Sequence, residues 1–285
     1  MSSTFNEFYN EKTGLTIGVN GILFSEQTPY QKVEILETDS WGRMMTIDGM
    51  VMLSEKDEFV YHEMLTHVGM FSHPQPERVL IIGGGDGGTA REVMRHPSVK
   101  KVDMVEIDEV VVQASKEFLP QVGDWGNPKL NVVIGDGIEF VKDISVPYDV
   151  IIIDGSDPVG PAAGLFEGEF MQACYDGLSE DGILTAQTES PWVESYHPSM
   201  KQVYTALDDI YAVSKMYLAY IPLYPAGMWS FSFASKGGTD PLAEVVLQRV
   251  ENGVMRFEDE LKYYNPEVHR GCFALPNFVK DIIEP

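Results

Sequence analysis

Carboxylates recur in this sequence where apolar runs end in turns: Asp86 in IIGGGDGG, Glu106 in VEID, Asp136 in GDG, and Asp154 and Asp157 in IIIDGSDP. A carboxylate in such a place can accept from sugar hydroxyls or an exocyclic amine, pair with an ammonium, or take its proton. Asp154 and Asp157 together at the mouth of a cleft can hold an ammonium group while one of them accepts the proton. An ordinary Asp-rich turn has the same spacing. At Asp86 and Asp136 a helix cap, with the carboxylate bonded to a nearby N–H, is the competing reading.

The glycines decide what kind of ligand such a cleft would take. Gly83, Gly85 and Gly88 satisfy G-x-G-x-x-G, and Glu106 lies roughly twenty residues beyond, where an acid can accept from ribose hydroxyls. A dinucleotide would set its pyrophosphate on the backbone N–H groups of this loop, and the Asp86 carboxylate would face those phosphates. A nucleoside carrying a cation fits better, which points to the sulfonium of S-adenosylmethionine and its relatives. Asp136 and Gly137 open a later helix, where the Asp can accept from an exocyclic amine and the following N–H groups can meet a ring nitrogen of adenine.

Other candidates are weaker on sequence grounds. Gln31 follows a turn containing Pro29 and can reach a ligand or simply be exposed; Tyr61 and His62 can face a cleft or be core residues. Tyr224, in PLYPAG, is a candidate wall for an aliphatic substrate. His62, Glu63 and His67 invite a zinc-protease reading, but that motif needs histidines four residues apart. A spacing of five puts the two imidazoles about 140° apart around the helix, so no metal site is expected. VGPAAGLF, after Asp157-Pro158, has the Gly/Pro content of a mobile lid.

The elements that would position these residues read as α/β. Val79 to Ile82, a helix from Thr89 that stops before Pro97, and Val102 to Ile107 form a βαβ unit whose strand ends leave a ligand-sized gap. Alternation continues through strands Leu130 to Ile134, Tyr148 to Ile153 and Ile183 to Gln187, with helices at Glu109 to Leu119, Phe170 to Leu178 and Pro198 to Leu207. Ser214 to Ile221 and Met228 to Ala234 read as an antiparallel pair at one edge, and the segment from Val254 as a wrap over the sheet. Before all this, Leu15 to Phe24, Tyr30 to Glu37, Arg43 to Ile47 and Val51 to Leu53 alternate in a β manner, with turn signals at Asn20-Gly21, Asp39 to Gly42 and Asp48-Gly49. Glu55 to Met70 reads as a helix with an apolar stripe. The expected division is a small N-terminal antiparallel β domain over residues 1–55 and a nucleoside-binding domain over 56–285.

Composition narrows the partners. Forty-four acids against twenty bases give a net charge of −24, which repels nucleic acid and anionic membrane and favours approach of cations. The polar start MSSTFNEFYNEKTG lacks the apolar core of a signal peptide, no run reaches membrane-spanning length, and a cytoplasmic protein is expected. Cys174 and Cys272 have neither metal-ligand nor disulfide-framework spacing.

Taken together, IDGMVMLSEKDEFVYHEM, VLIIGGGDGG, REVMRHPSV, VEID, GDG, DGSDPVGP, AQTESPW and IPLYPAGMW run almost end to end. The chain resembles the spermidine synthases, polyamine aminopropyltransferases of the bacterial type. One departure is Gly155 where the family often has Ser, with the Asp pair intact. The resemblance implies a methyltransferase-like doubly wound, mostly parallel sheet behind the N-terminal β domain. It implies transfer of a propylamine group from decarboxylated S-adenosylmethionine, a co-substrate rather than a cofactor, to putrescine. By position, Gln31, Glu106, Asp136 and Gly137 would hold the methylthioadenosine part, lined by Pro161. Asp86 and His62 would meet the amines, Tyr61, Asp157, Gln187 and Tyr224 would shape the diamine site, and Asp154 would be the general base. A homodimer or homotetramer is implied, with small-molecule substrates as the only other partners and no metal or redox cofactor.

The chemistry read from the residues agrees. An alkylammonium has a pKa near 10, on the scale of lysine, so an amine nucleophile must first be deprotonated. Two rivals stay open: a methyltransferase using intact S-adenosylmethionine, whose carboxylate Asp86 and Asp154 would repel, and a non-catalytic polyamine-binding protein. Within the family, agmatine, cadaverine and spermidine remain alternative acceptors.

Overall fold

The structure, a computed structural model, describes residues 3–156, 164–165, 167–257 and 260–283. An N-terminal antiparallel sheet has the order β1-β2-β3-β4-β5, built from β1 (Ser3–Phe8), β2 (Gly14–Gln27), β3 (Lys32–Thr38), β4 (Gly42–Ile47) and β5 (Met50–Ser54). β1 was not foreseen, and Asn20-Gly21 is not a turn. Val19 faces both neighbours, ending the pairing of β2 with β1 and beginning its pairing with β3, and Gly21 falls at the register shift where the strand changes partner. A glycine after Asn suits a bulge as well as a hairpin, which is why the local signal misleads.

The second sheet has seven strands in the order β11-β12-β10-β9-β6-β7-β8. These are β6 (Arg78–Gly83), β7 (Lys101–Glu106), β8 (Leu130–Ile134), β9 (Tyr148–Asp154), β10 (Leu178–Gln187), β11 (Val213–Tyr220) and β12 (Met228–Ser235). β10, β9, β6, β7 and β8 are parallel, while β12 pairs antiparallel with both β10 and β11, as expected for the edge. The order reverses at β6, with β7 on one side and β9 on the other, and a crevice opens there at the carboxyl ends.

Continuous apolar strands are what a sheet covered on both faces requires. Along β6, Val79 and Ile81 enter one core cluster and Leu80 and Ile82 the other. The first core is closed by α1 (Glu58–Ser72), α2 (Gly88–Met94) and α7 (Glu244–Val254); the second by α4 (Gly137–Lys142), α5 (Gly168–Gly177) and α6 (His197–Ile210). Each such Ile or Leu contributes about 1.5–3 kcal/mol by leaving water, so the strand that ends in the glycine loop is firmly held. The N-terminal sheet packs Val33, Ile35, Met45 and Leu53 on Val111 and Ala114 of α3 (Glu109–Phe118).

The chain beyond α7 carries α8 (Pro266–Gly271) and α9 (Asn277–Ile283), which sequence patterning left unassigned. It is tied to α1 as well as to the sheet. Glu63 accepts from the backbone N–H groups of Lys262, Tyr263 and Tyr264, and the Leu218 N–H donates to the Cys272 carbonyl.

Candidate active site

One cavity at the carboxyl ends of β6, β7 and β9 is lined by nine of the expected residues: Gln31, Tyr61, His62, Asp86, Glu106, Asp136, Gly137, Asp154 and Tyr224. Gln187 stands in an adjoining hollow and donates through Nε2 to the Gly155 and Ser156 carbonyls. Asp157, Pro161 and nearly all of the expected lid lie outside the described residues; Gly164 and Leu165 are described, and Leu165 lines the cavity.

The glycine loop is shaped by its neighbours. Gly83 and Gly84 both have left-handed backbone, with φ of 83° and 70°. A Cβ on Gly83 would stand 2.2 Å from the Asp154 carbonyl oxygen, and one on Gly84 would stand 2.8 Å from Asp154 Oδ2. Those two positions are therefore glycine because Asp154 comes in against them.

Asp154 ends β9 almost fully buried, at 9% exposure. Its Oδ1 accepts from the Tyr61 hydroxyl at 2.7 Å and its Oδ2 from the Thr89 hydroxyl at 2.6 Å. Burial, and then the negative charge of Asp86, pushes its pKa up to about 6, against the opposing pull of the His62 cation and the two hydroxyls. An acid so placed is a carboxylate at neutral pH that still has affinity for a proton, as a general base must be.

Asp86 bonds a nearby N–H, as its capping reading expects, and also meets a histidine. Its Oδ1 accepts from the Gly88 N–H at 2.7 Å and also lies 3.1 Å from His62 Nε2. Burial would raise its pKa, but the His62 charge and hydrogen bond, the Gly88 N–H and the Arg91 charge together outweigh this and hold it below the usual carboxylate range. His62 is buried, and burial works against its charge. The carboxylates of Asp86 and Glu58 outweigh that and push it up to about 10. The other histidine of the rejected zinc pattern turns elsewhere: His67 bonds Glu92 and His96, so the two imidazoles do not converge.

Glu106, also lining the cavity, ends β7 and accepts from the Asp108 N–H at 2.9 Å and the Gly85 N–H at 3.2 Å. Burial pushes its pKa up to about 7 against those two donors. Gln31 donates to Asp108 Oδ2 at 3.2 Å. Asp136 is the N-cap of α4, accepting from the Ile138 and Glu139 N–H groups, and stands exposed at the cavity rim. Gly137 is pressed on Ile82, where a Cβ would meet Cγ2 at 2.5 Å.

The adjoining hollow shares Met52, Tyr61, Gly155, Ser156 and Tyr224 with the main cavity and extends to Glu7, Met50, Val51, Gln187, Pro225 and Trp229. The Tyr224 hydroxyl donates to the Met52 carbonyl at 2.6 Å, which fastens the turn after β11 to β5. Glu7 and Met52 come from the N-terminal sheet, so that sheet is a wall of the site as well as a neighbour of it.

Residues 58–243 match the spermine/spermidine synthase domain and residues 4–55 the spermidine synthase tetramerisation domain. The chain belongs to the spermine/spermidine synthase family. Membership makes it an enzyme, a polyamine aminopropyltransferase. It is 45% identical over 285 residues to the polyamine aminopropyltransferase of Thermoanaerobacter sp. (strain X514), covering 100% of this chain and 99% of that one. It is 45% identical over 286 residues to polyamine aminopropyltransferase 1 of Bacillus cereus, covering 100% of each. The fold superposes on a crystal structure of spermidine synthase in complex with the transition-state analogue AdoDATO, with a TM-score of 0.93 and 43% identity over 99% of this chain and 94% of the other. Spermidine synthase from Thermotoga maritima gives a TM-score of 0.90 at 42% identity, covering 99% of this chain and 94% of that one. The fold class is thus the α/β arrangement expected for this family. Among the described residues, no helix is long and apolar enough to cross a membrane.

Four contributors escaped sequence reasoning. Thr89 follows the glycine loop with no pattern of its own, and Glu7 lies in the unforeseen β1. Glu58 precedes His62 by four residues, a helical spacing that does signal a pair, while its partner Arg91 lies on another helix.

Proposed function

We propose that this enzyme transfers the propylamine group of decarboxylated S-adenosylmethionine to putrescine, giving spermidine and methylthioadenosine. The observation that carries the reading is the pair Asp86 and Asp154, which line one cavity together with the buried acid Glu106, the charge of Asp86 raising the proton affinity of Asp154. Glu106 accepts from the ribose hydroxyls, and Gln31, Asp136 and Gly137 complete the nucleoside side, with Pro161 as a further wall. Asp86 holds the donor ammonium. A carboxylate on the donor, as in intact S-adenosylmethionine, meets like charge there and is rejected.

Putrescine enters as a dication, and Asp154 takes the proton of one amine. The freed lone pair attacks the methylene next to the sulfonium sulfur; a C–N bond forms and a C–S bond breaks. The bonding pair returns to sulfur, and neutral methylthioadenosine leaves. Tyr61, Tyr224, Gln187 and Asp157 bound the acceptor. The adjoining hollow, with Met50, Met52 and Trp229 as apolar walls and Glu7 as an acid, suits an aliphatic chain ending in a second ammonium.

The match to a tetramerisation domain, and the exposure of Phe8 (68%) and Ile22 (62%) on the N-terminal sheet, support assembly with further copies of the chain. A monomer in sedimentation at working concentrations would refute that part. We place the enzyme in the cytoplasm on the same reading.

The test is a mass-spectrometric product screen over putrescine, cadaverine, agmatine and spermidine, with each of the decarboxylated and intact nucleosides as donor. Spermidine from putrescine and the decarboxylated donor is the expected major product. Faster turnover of another amine reassigns the acceptor, and methyl transfer from the intact donor overturns the reading.

A further inference from the structure

Asp86 and Asp154 are two acids in one cleft, and something must decide which of them binds and which takes up a proton. The deciding groups lie behind the cavity wall. His62 contacts a carboxylate at each ring nitrogen: Nδ1 is 2.6 Å from Glu58 Oε2 and Nε2 is 3.1 Å from Asp86 Oδ1. A neutral imidazole has a single N–H to offer, and two carboxylates are satisfied together only by the doubly protonated ring. The ring has little freedom to turn away, since a Cβ on Gly88 would stand 2.3 Å from its Cε1.

Glu58 is fixed in its turn. Arg91 donates Nη1 to Oε1 at 3.1 Å and Nη2 to Oε2 at 2.9 Å, a two-pronged bond, while its Nε donates to Glu92 at 2.7 Å. Glu58 and Arg91 do not line the cavity, yet they link α1 to the helix that follows the glycine loop. Charges alternate along the line Asp86, His62, Glu58, Arg91, Glu92. All five side chains are largely buried, so solvent screening is weak and each charge depends on the next.

We infer that Glu58 and Arg91 are positioning residues, which keep His62 an imidazolium bonded to Asp86 and thereby assign Asp86 to cation binding and Asp154 to proton transfer. With Oδ1 committed to His62 and Gly88, Asp86 Oδ2 takes no hydrogen bond from the described residues and is left for a ligand. Asp154 makes no hydrogen bond to that ring and feels only its charge; among the described residues its carboxylate takes hydrogen bonds from the two hydroxyls alone. Two acids whose surroundings differ in this way divide into a permanent anion and a proton acceptor. The groups that face His62 are Glu58 and Tyr61 from its own helix, Asp86 from the glycine loop, Arg91 through Glu58, and the charge of Asp154 from the end of β9.

The inference rests on the proposed reaction for its kinetic arm alone. Nitrogen-detected NMR of His62 in the wild-type enzyme should show both ring nitrogens protonated at pH 8.5. A single-tautomer neutral ring there overturns the inference, whatever the acceptor proves to be. Glu58→Gln keeps the shape and removes the charge, so its His62 should be neutral at pH 8.5. The ratio of its kcat/KM to wild type should fall by about tenfold between pH 6.5 and pH 9, the size of one charge-assisted contact. That pH dependence should be absent when His62→Gln is added, and Glu58→Asp should restore part of it. A purely structural role would lower the ratio equally at all pH values, and that outcome overturns the inference. Should Glu58→Gln fail to fold, the wild-type spectra and the same ratio for Arg91→Lys, expected to drop less steeply, still decide it.

Discussion

The Tyr61 hydroxyl donates to Asp154 Oδ1 across 2.7 Å, joining the helix over residues 58–72 to the strand that ends at the acid. This bond stabilises the carboxylate form, as does the one from Thr89, while burial and Asp86 oppose it. Asp154 must be ionised to act as base, so kcat/KM of the free enzyme should rise with pH through about 6, the value to which the acid is pushed. Tyr61→Phe removes one stabilising donor and should move that limb to higher pH. Asp154→Asn should lower turnover by about 10²- to 10⁴-fold with nucleoside affinity kept, a defect that shrinks as pH climbs toward about 10 and free amine forms unaided. Normal turnover by Asp154→Asn at neutral pH would remove Asp154 from the role of base.

Asp86 should separate donor from product. If its Oδ2 pairs with the donor ammonium, Asp86→Asn should weaken decarboxylated S-adenosylmethionine by about 1.5–3 kcal/mol and methylthioadenosine hardly at all. Calorimetry with the two nucleosides measures the difference directly. Equal losses would reduce Asp86 to its bond with the Gly88 N–H, a matter of loop shape.

Glu106 should make nucleoside binding a proton-releasing step. Burial pushes it up to about 7, so at pH 6.5 a large share of the free enzyme carries the proton. Ribose hydroxyls donating to the carboxylate would favour its charged form and lower the pKa in the complex. Methylthioadenosine affinity should therefore increase as pH rises through about 7. Calorimetry in buffers of different ionisation heat should register proton release at pH 6.5 that Glu106→Gln abolishes. Proton uptake by the wild type, unchanged in the variant, would contradict it.

How much of this was legible in sequence depends on the range of the interaction. Glu106, Asp136 and Asp154 could be placed because each ends a strand or opens a helix of the βαβ pattern, and that pattern is local. Asn20-Gly21 misled because a turn and a bulge use the same residues, and only the identity of the neighbouring strand distinguishes them. Asp86 stayed ambiguous because a bond to a nearby N–H and a ligand contact both need a carboxylate among the glycines; in the structure Gly87 is the N-cap, and Asp86 bonds the Gly88 N–H and His62. Arg91 and Glu58 meet 33 residues apart, and Glu7 reaches Val51 from 44 away. Those contacts follow from how helices and sheets pack, which periodicity does not encode.

Glu7 should read the end of the acceptor that lies away from Asp154. It lies almost fully buried on the first strand, accepts from the Val51 N–H at 2.8 Å, and lines the hollow that continues from the Tyr61–Tyr224 wall. A carboxylate beside methionine and tryptophan in that hollow can accept a charge-assisted hydrogen bond, and a diamine with one end at Asp154 would offer its second ammonium to it. Glu7→Gln keeps the size and an acceptor for Val51 but loses the charge. The KM for putrescine should then rise by about tenfold or more with kcat nearly unchanged, since the contact is made equally in the ground and transition states. A monoamine of the same length has no second ammonium to lose, so its KM should be high in the wild type and barely altered in the variant. An equal rise for monoamine and diamine would mean that Glu7 supports the wall of the hollow without reading the charge of the acceptor.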